Sequence, residues 1–169
     1  AIAYCNQNKL KEGIKLIELA LDVFQGPLSS QLHTFLTWAY LSLTKKCGLD
    51  QVDNRKVYLQ KSEQHLKSAI DYEPTWIGNM LATIDIYYQR KQYDKALETA
   101  QLFSKAIVSS QPQNSTKSSQ QRINVLFLLL KAKVYYQKKN YTASLKLFQE
   151  LLILNPVLQP DSRIGIGLC

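Results

Sequence analysis

The sequence is poor in the residues on which most enzyme and metal sites depend. Histidine occurs only as His33 and His65, and the cysteines Cys5, Cys47 and Cys169 are widely separated. No Cys or His pair has the spacing of a zinc site, and there is no HExxH, GxSxG or phosphate-binding glycine loop. The sequence therefore predicts no enzyme, no cofactor and no metal site. Cysteines without an evident pairing favour a reducing compartment.

Long apolar runs are also missing. The longest, Val125–Leu130, has six residues, whereas a membrane-spanning helix needs about 20. Glycine and proline are scarce, at six and five residues, while hydrophobic residues make up 46% of the chain. This composition predicts a folded chain with a substantial core and no transmembrane segment.

The chain nearly repeats one of its own segments. YYQRKQYDKAL at Tyr87–Leu97 returns as YYQKKNYTASL at Tyr135–Leu145. In each copy an aromatic residue follows the first tyrosine by six positions, and a small residue comes three positions later. This pattern resembles the tetratricopeptide repeat (TPR), in which helical hairpins stack side by side and small residues mark close helix contacts.

The pattern predicts an all-α fold, a right-handed superhelical solenoid of TPR hairpins. Pro74 and Pro156 each close a hairpin, and the helices of the second hairpin are expected at about Ser30–Leu43 and Val57–Tyr72. The predicted division of the single array is a partial repeat at 1–26, a repeat with an elongated inter-helix turn at 29–74, a repeat at 75–108, a polar low-complexity insert at 109–122, a repeat at 123–158 and the start of a further repeat at 159–169.

In such an array the first helix of each hairpin lines a concave groove that binds partners, and five positions of that helix point into it. Tyrosine, leucine and amide side chains at these positions would suit an extended or helical peptide. The same tyrosines could instead pack between hairpins. The groove candidates are His33, Leu36, Tyr40, Leu43 and Thr44 in the second unit, Gly78, Leu81, Asp85, Tyr88 and Gln89 in the third, and Leu126, Leu129, Lys133, Tyr136 and Gln137 in the fourth.

The net charge of +8 allows a different interpretation of the function. Lysine and arginine can bind nucleic acid by neutralising its phosphates, or they can bind an acidic protein tail. The basic residues are, however, spread along the predicted helices among acidic ones, as on an ordinary solvated surface. Contact with nucleic acid is therefore an alternative, as is a generic cytoplasmic adaptor that binds one short peptide.

The order of the units resembles one family in particular, across nearly the whole chain. LHTFLTWAYLSLTKK, a polar turn, YLQKSEQHLKSAIDYEP, a spacer, a repeat ending LNP, and then RIGIGLC are similar to the N-terminal half of the TPR scaffold subunits of the Polymerase-associated factor (Paf) complex. The Ser- and Gln-rich insert suggests a fungal member. The most telling residues are Leu32, Tyr40, Asn54, Lys56, Ile70, Arg163, Gly165, Gly167 and Cys169.

The resemblance implies a nuclear, non-catalytic scaffold that organises the Paf complex on elongating RNA polymerase II and supports histone ubiquitylation and methylation during transcription. It also implies that these N-terminal repeats bind other subunits, above all a segment of the complex's namesake subunit. It does not say which residues make that contact, and no membrane or small-molecule substrate is implied.

Overall fold

A computed structural model describes residues 9–24, 26–48, 50–110, 117–157 and 161–169. These residues form helices joined by short connections, with no strand among them. In the described part of the chain no helix is both long and apolar enough to cross a membrane. The helices are α1 (Leu10–Val23), α2 (Pro27–Lys46), α3 (Val52–Tyr72), α4 (Ile77–Gln89), α5 (Tyr93–Ser110), α6 (Lys117–Gln137), α7 (Tyr141–Leu154) and α8 (Ser162–Leu168).

The chain divides into two compact units, Ala1–Ile86 and Tyr87–Cys169, called unit 1 and unit 2 below. In unit 1, α2 packs against both α3 and α1. One buried cluster joins Ile14 and Ile17 of α1 to α2. A second cluster joins α2, α3 and α4 through Leu41, Leu66 and Ala82.

The hairpin of α2 and α3 is elongated in its helices rather than in its turn. The sequence predicts a long polar connection, but the structure has 20 residues in α2 and 21 in α3, with residues 47–51 between them, of which 49 lies outside the described residues. Pro27 begins α2, which suits its fixed φ and missing N–H. The polar residues on both sides of the turn continue the helices because charged residues on an exposed helix face carry no burial cost.

In unit 2, α7 packs between α6 and α8, and α5 contacts α6. Its core contains Val125, Leu129 and Ala132 of α6 with Phe148 and Leu151 of α7. The insert predicted at 109–122 is partly helical, because α5 continues to Ser110 and α6 begins at Lys117. Residues 1–8 and 25 of the predicted first repeat, 111–116 of the insert, and 158–160 where the last two predicted repeats meet lie outside the described residues.

The duplicated segments fold alike. Lys91 and Lys139 both adopt a left-handed backbone, with φ of 60° and 61°. In the first copy the Lys91 amide donates to the Tyr88 carbonyl at 3.0 Å, and the next amide donates to the Tyr87 carbonyl at 2.9 Å. The equivalent bonds of the second copy measure 2.9 and 3.0 Å. This pair of bonds is the Schellman motif, which satisfies the last carbonyls of a helix.

The small positions of the repeat are buried as the pattern predicts. Ser62 in α3, Ala96 in α5 and Ser144 in α7 are each fully buried. The Ser144 hydroxyl donates to the Ala132 carbonyl at 2.9 Å, so α7 contacts the backbone of α6 directly. A larger side chain at this position would push the two helices apart.

Candidate partner-binding sites

Four of the predicted groove residues line one cavity in unit 2. They are Tyr88, Leu129, Lys133 and Tyr136, and the cavity measures about 170 Å³. The remaining wall comes from α7, from α8 and from the residue before α8. The unit 2 groove is defined here as Tyr88, Leu129, Lys133, Tyr136, Phe148, Asp161, Ile164, Gly165 and Leu168.

The two groove tyrosines are held in the same way. The Tyr136 ring lies 5.5 Å from the Tyr141 ring with an interplanar angle of 65°, and Tyr88 lies 6.0 Å from Tyr93 at 57°. Each pair joins the end of one helix to the start of the next across the duplicated turn. Edge-to-face contacts of this kind favour one ring orientation, so the duplicated sequence places both tyrosines alike.

The short helix α8 closes the groove because a glycine lets it approach α7. A Cβ on Gly165 would lie 2.5 to 2.6 Å from the Phe148 ring, whereas a Cβ on Gly167 would meet nothing within 4 Å. Asp161 caps α8, since its side chain accepts from the Arg163 amide at 2.9 Å. Glycine at 165 thus allows Ile164 and Leu168 to form one wall.

The groove is chemically an apolar socket with two charged side chains in its wall, Lys133 and Asp161. An apolar cavity of about 150 Å³ binds a benzene-sized group, so one aromatic or branched aliphatic side chain would fill it. Ile164 and Leu168 remain largely exposed. Of the other candidates here, Gln89 is half-buried and Leu126 and Gln137 are exposed.

The unit 1 candidates lie mostly in the interior rather than in an open groove. Leu36 is fully buried and Tyr40 is nearly so, both against α1. Asp85 is buried and its carboxylate lies 2.5 Å from Lys45 Nζ. Leu81 and His33 are half-buried. The remaining candidates are Thr44, which is buried, and Leu43 and Gly78, which are half-buried.

The register of α2 explains this difference. The groove prediction begins the second repeat at Leu32, which places Tyr40 at the ninth position, in the groove. A start at Ser30 places it at the eleventh, the position that Tyr87 and Tyr135, both half-buried, occupy in the duplicated segments. The burial of Tyr40 supports the earlier start. Leu36 then falls on the face that packs against α1.

A polar network surrounds Tyr40. Its hydroxyl donates to Glu18 Oε1 at 2.6 Å and accepts from Lys61 Nζ at 3.3 Å. The His65 ring stacks on the Tyr40 ring at 5.7 Å with an angle of 6°. Burial, followed by the hydrogen bond to Glu18, raises the pKa of Tyr40 well above its usual range. The hydroxyl therefore stays protonated and remains the donor.

The two histidines meet at the edge of this network. His33 Nδ1 lies 3.0 Å from His65 Nδ1, so one nitrogen must donate and the other accept. Burial lowers the pKa of both rings, and the neighbouring His33 lowers that of His65 further. A second proton between these nitrogens would break the bond. Within the described residues, no three His, Cys, Asp or Glu side chains are placed to hold a metal ion.

Beside this network, α1, α2 and α3 enclose a cleft of about 220 Å³. Three lysines project from its walls, and its floor is aromatic and aliphatic. This lysine cleft is defined as Lys11, Ile14, Lys15, Glu18, Tyr40, Leu43, Tyr58 and Lys61. Sequence reasoning missed it, although Lys11 and Lys15 are spaced to share one helix face. Also missed were Phe148, Asp161, Ile164 and Leu168 of the unit 2 groove, since their contacts join helices distant in sequence.

The sequence of the chain is similar to those of two known fungal proteins. Over all 169 residues the chain is 60% identical to RNA polymerase-associated protein CTR9 of Saccharomyces cerevisiae. The chain is a close homologue of this segment of CTR9. The resemblance inferred from the sequence is thus confirmed. The homologous segment makes up 15% of that protein's length.

A second relative supports the repeat assignment. Over 46 residues, 27% of this chain, the sequence is 54% identical to Tetratricopeptide repeat protein 1 of Schizosaccharomyces pombe. The match covers 4% of that protein. No protein-family profile matches the chain.

Proposed function

We propose that the chain is a section of a right-handed TPR solenoid with the repeat division predicted from its sequence. The all-helical structure, the duplicated Schellman turns and the buried small residues of α3, α5 and α7 support this. The similarity to Tetratricopeptide repeat protein 1 supports it independently. In the second repeat, the long hairpin of α2 and α3 replaces the usual short one.

The chain belongs to a non-catalytic scaffold subunit of the Paf complex, which associates with RNA polymerase II during elongation and supports histone modification during transcription. This proposal rests on the 60% identity to a protein named for its association with RNA polymerase. It places the protein in the nucleus. The expected partners are other Paf subunits, above all the namesake subunit, with RNA polymerase II contacted directly or through them.

The unit 2 groove receives an apolar anchor residue of the partner. The observation that carries this proposal is the convergence of Tyr88, Leu129, Lys133 and Tyr136 on one cavity. Aromatic walls around a single socket are typical of the centre of a protein–protein interface. Lys133 and Asp161 in the wall would contact the polar flanks of the anchor.

Affinity capture from nuclear extract tests the proposal, with the chain as bait. A Tyr88→Ala, Tyr136→Ala double variant removes both rings, and Tyr72→Ala changes an exposed tyrosine outside the groove. Wild type and Tyr72→Ala should recover elongation factors, and the double variant should lose them. Recovery of chaperones without elongation factors would favour a generic adaptor. Equal recovery of elongation factors by all three baits would mean that the unit 2 groove does not bind them.

A nucleic-acid surface is the second candidate, and the distribution of charge favours unit 2 for it. Unit 2 has twelve basic and four acidic residues, and unit 1 has nine of each. The whole excess of positive charge therefore lies in unit 2. Direct binding would weaken steeply with salt and would be reduced by Lys138→Glu, Lys139→Glu. Salt-insensitive binding, or none, would eliminate this candidate.

A further inference from the structure

The lysine cleft of unit 1 concentrates positive charge in a unit that is neutral as a whole. Lys11 and Lys15 stand one turn apart on α1, and Lys61 faces them from α3. Like charges four residues apart destabilise a helix. A negative group placed between these ammonium groups would relieve that repulsion.

The carboxylate of the cleft, Glu18, already accepts a hydrogen bond within the chain. Glu18 accepts a hydrogen bond of 2.6 Å from the Tyr40 hydroxyl, and that tyrosine is nearly fully buried. Lys61 lies over the Tyr40 ring, with its Nζ 5.2 Å from the ring centre, and donates to the hydroxyl at 3.3 Å. The cleft thus presents three cationic side chains and one hydrogen-bonded carboxylate.

The floor of the cleft is apolar. Ile14 is buried, and Leu43 and Tyr58 are half-buried. A ligand that fits both surfaces has an aliphatic part against the floor and a carboxylate near the lysines. An acidic peptide segment with apolar neighbours has this chemistry.

Nucleic acid fits the cleft less well than such a peptide. A phosphate backbone needs a continuous track of positive charge, whereas unit 1 has as many acidic as basic residues. Glu18 would face the phosphates, and the cleft of about 220 Å³ holds one or two side chains rather than a strand. We propose that the lysine cleft binds an acidic, leucine-containing segment of a protein partner, at a site separate from the unit 2 groove.

Fluorescence anisotropy tests this with the whole 169-residue chain. The probe is a capped, fluorescein-labelled peptide in which glutamate pairs alternate with leucine, and its counterpart carries glutamine in place of glutamate. Lys11→Glu and Lys15→Glu alter exposed residues of the cleft, and both variants should stay folded. Lys67→Glu makes the same charge change at an exposed position of α3 outside the cleft.

The glutamate probe should bind wild type at least about tenfold more tightly than the glutamine probe, and each cleft variant should weaken it about tenfold. Lys67→Glu should change affinity less than about twofold. Equal weakening by Lys67→Glu, equal binding of the glutamine probe, or no saturable binding would overturn the proposal. Displacement by an oligouridylate, lost in the same cleft variants, would overturn it in favour of nucleic acid.

Discussion

The two units have the same secondary structure but differ in how they use polar residues. Of the described buried polar side chains, eight lie in unit 1 and two in unit 2. Unit 1 balances its charges and joins its helices with hydrogen bonds, such as Thr34 to Asn79 Oδ1 at 2.6 Å and Asn79 to the Glu73 carbonyl at 2.9 Å. Unit 2 keeps an apolar interior and carries the net charge on its surface.

This difference fits the scaffold role proposed above. Each buried polar group needs a hydrogen-bond partner, so such groups permit few alternative packings. The interior of unit 1 is therefore more narrowly determined than that of unit 2. An apolar socket tolerates several side chains of similar shape, which suits the binding role proposed for the unit 2 groove. The following experiments test this comparison, starting with the largest expected effect.

Leu36→Ala should destabilise unit 1 strongly. Leu36 is fully buried against α1, and truncating a buried leucine costs about 2 to 5 kcal/mol. Leu19→Ala, at an exposed position of α1 in the same unit, should cost less than about 0.5 kcal/mol. Both tryptophans, Trp38 and Trp76, lie in unit 1, so urea unfolding by tryptophan fluorescence follows that unit. A small effect of Leu36→Ala would mean that it lines a surface after all.

Gly165→Ala should destabilise the α7–α8 contact by about 1 to 3 kcal/mol, the usual cost of overpacking. The added methyl would overlap the Phe148 ring. Gly167→Ala is the matched control, because it adds the same methyl to the same helix in open space. The control should be neutral or slightly stabilising, since alanine favours helix. Hydrogen exchange of α7 and α8 amides measures both. Similar results for the two variants would refute the close approach of α8.

Acidification should weaken unit 1 more than unit 2, with a smaller effect than either core change. Both histidines lie in unit 1, and burial lowers their pKa below 6.5. The unfolded chain therefore takes up protons first, so stability is full above pH 6.5 and is lost as pH falls through the lowered values. The charge of Glu18 raises the pKa of His65 and so opposes the effect of burial, whereas the charge of Lys61 lowers it further.

Hydrogen exchange at pH 7.5 and 5.5, corrected for intrinsic rates, should show α2 and α3 opening more readily at the lower pH while α6 and α7 change little. His65→Gln should reduce the difference. An equal response of both units, or no effect of the substitution, would count against the histidine pair as the cause.

Lys91→Gly and Lys139→Gly should each stabilise unit 2 by about 0.5 to 1 kcal/mol. Both lysines hold a left-handed backbone, which glycine adopts without a Cβ clash. Because the two turns are alike, the two effects should be alike and additive. Hydrogen exchange of unit 2 amides gives the change in stability for each variant. A loss of stability at one site only would show that the duplicated turns are not equivalent.

Sequence reasoning predicted well where the pattern was local. The duplicated segments form equivalent turns with equivalent ring contacts at Tyr88 and Tyr136, because a turn and the residues beside it are determined within about ten residues. For α2 the sequence predicts groove positions for Leu36 and Tyr40, whereas the structure buries both against α1. This helix has no duplicated partner, so its sequence alone does not determine its register.

The lysine cleft and the α8 wall could not be predicted, because both depend on contacts between helices. Lys61 comes near Lys11 and Lys15 only after α1, α2 and α3 have packed. Gly165 gains its role from the position of Phe148. In each case the residue types were visible in the sequence, but their neighbours were not.

The central claim is that unit 2 binds its partner through the apolar groove. Hydrogen exchange of the chain, alone and with the elongation factor captured from nuclear extract, tests it most directly. Amides of α6 and α8 beside Leu129, Tyr136 and Ile164 should become protected in the complex, and the Tyr88→Ala, Tyr136→Ala variant should show no such protection. Protection confined to the exposed face of α5, with α6 and α8 unchanged, would contradict the account.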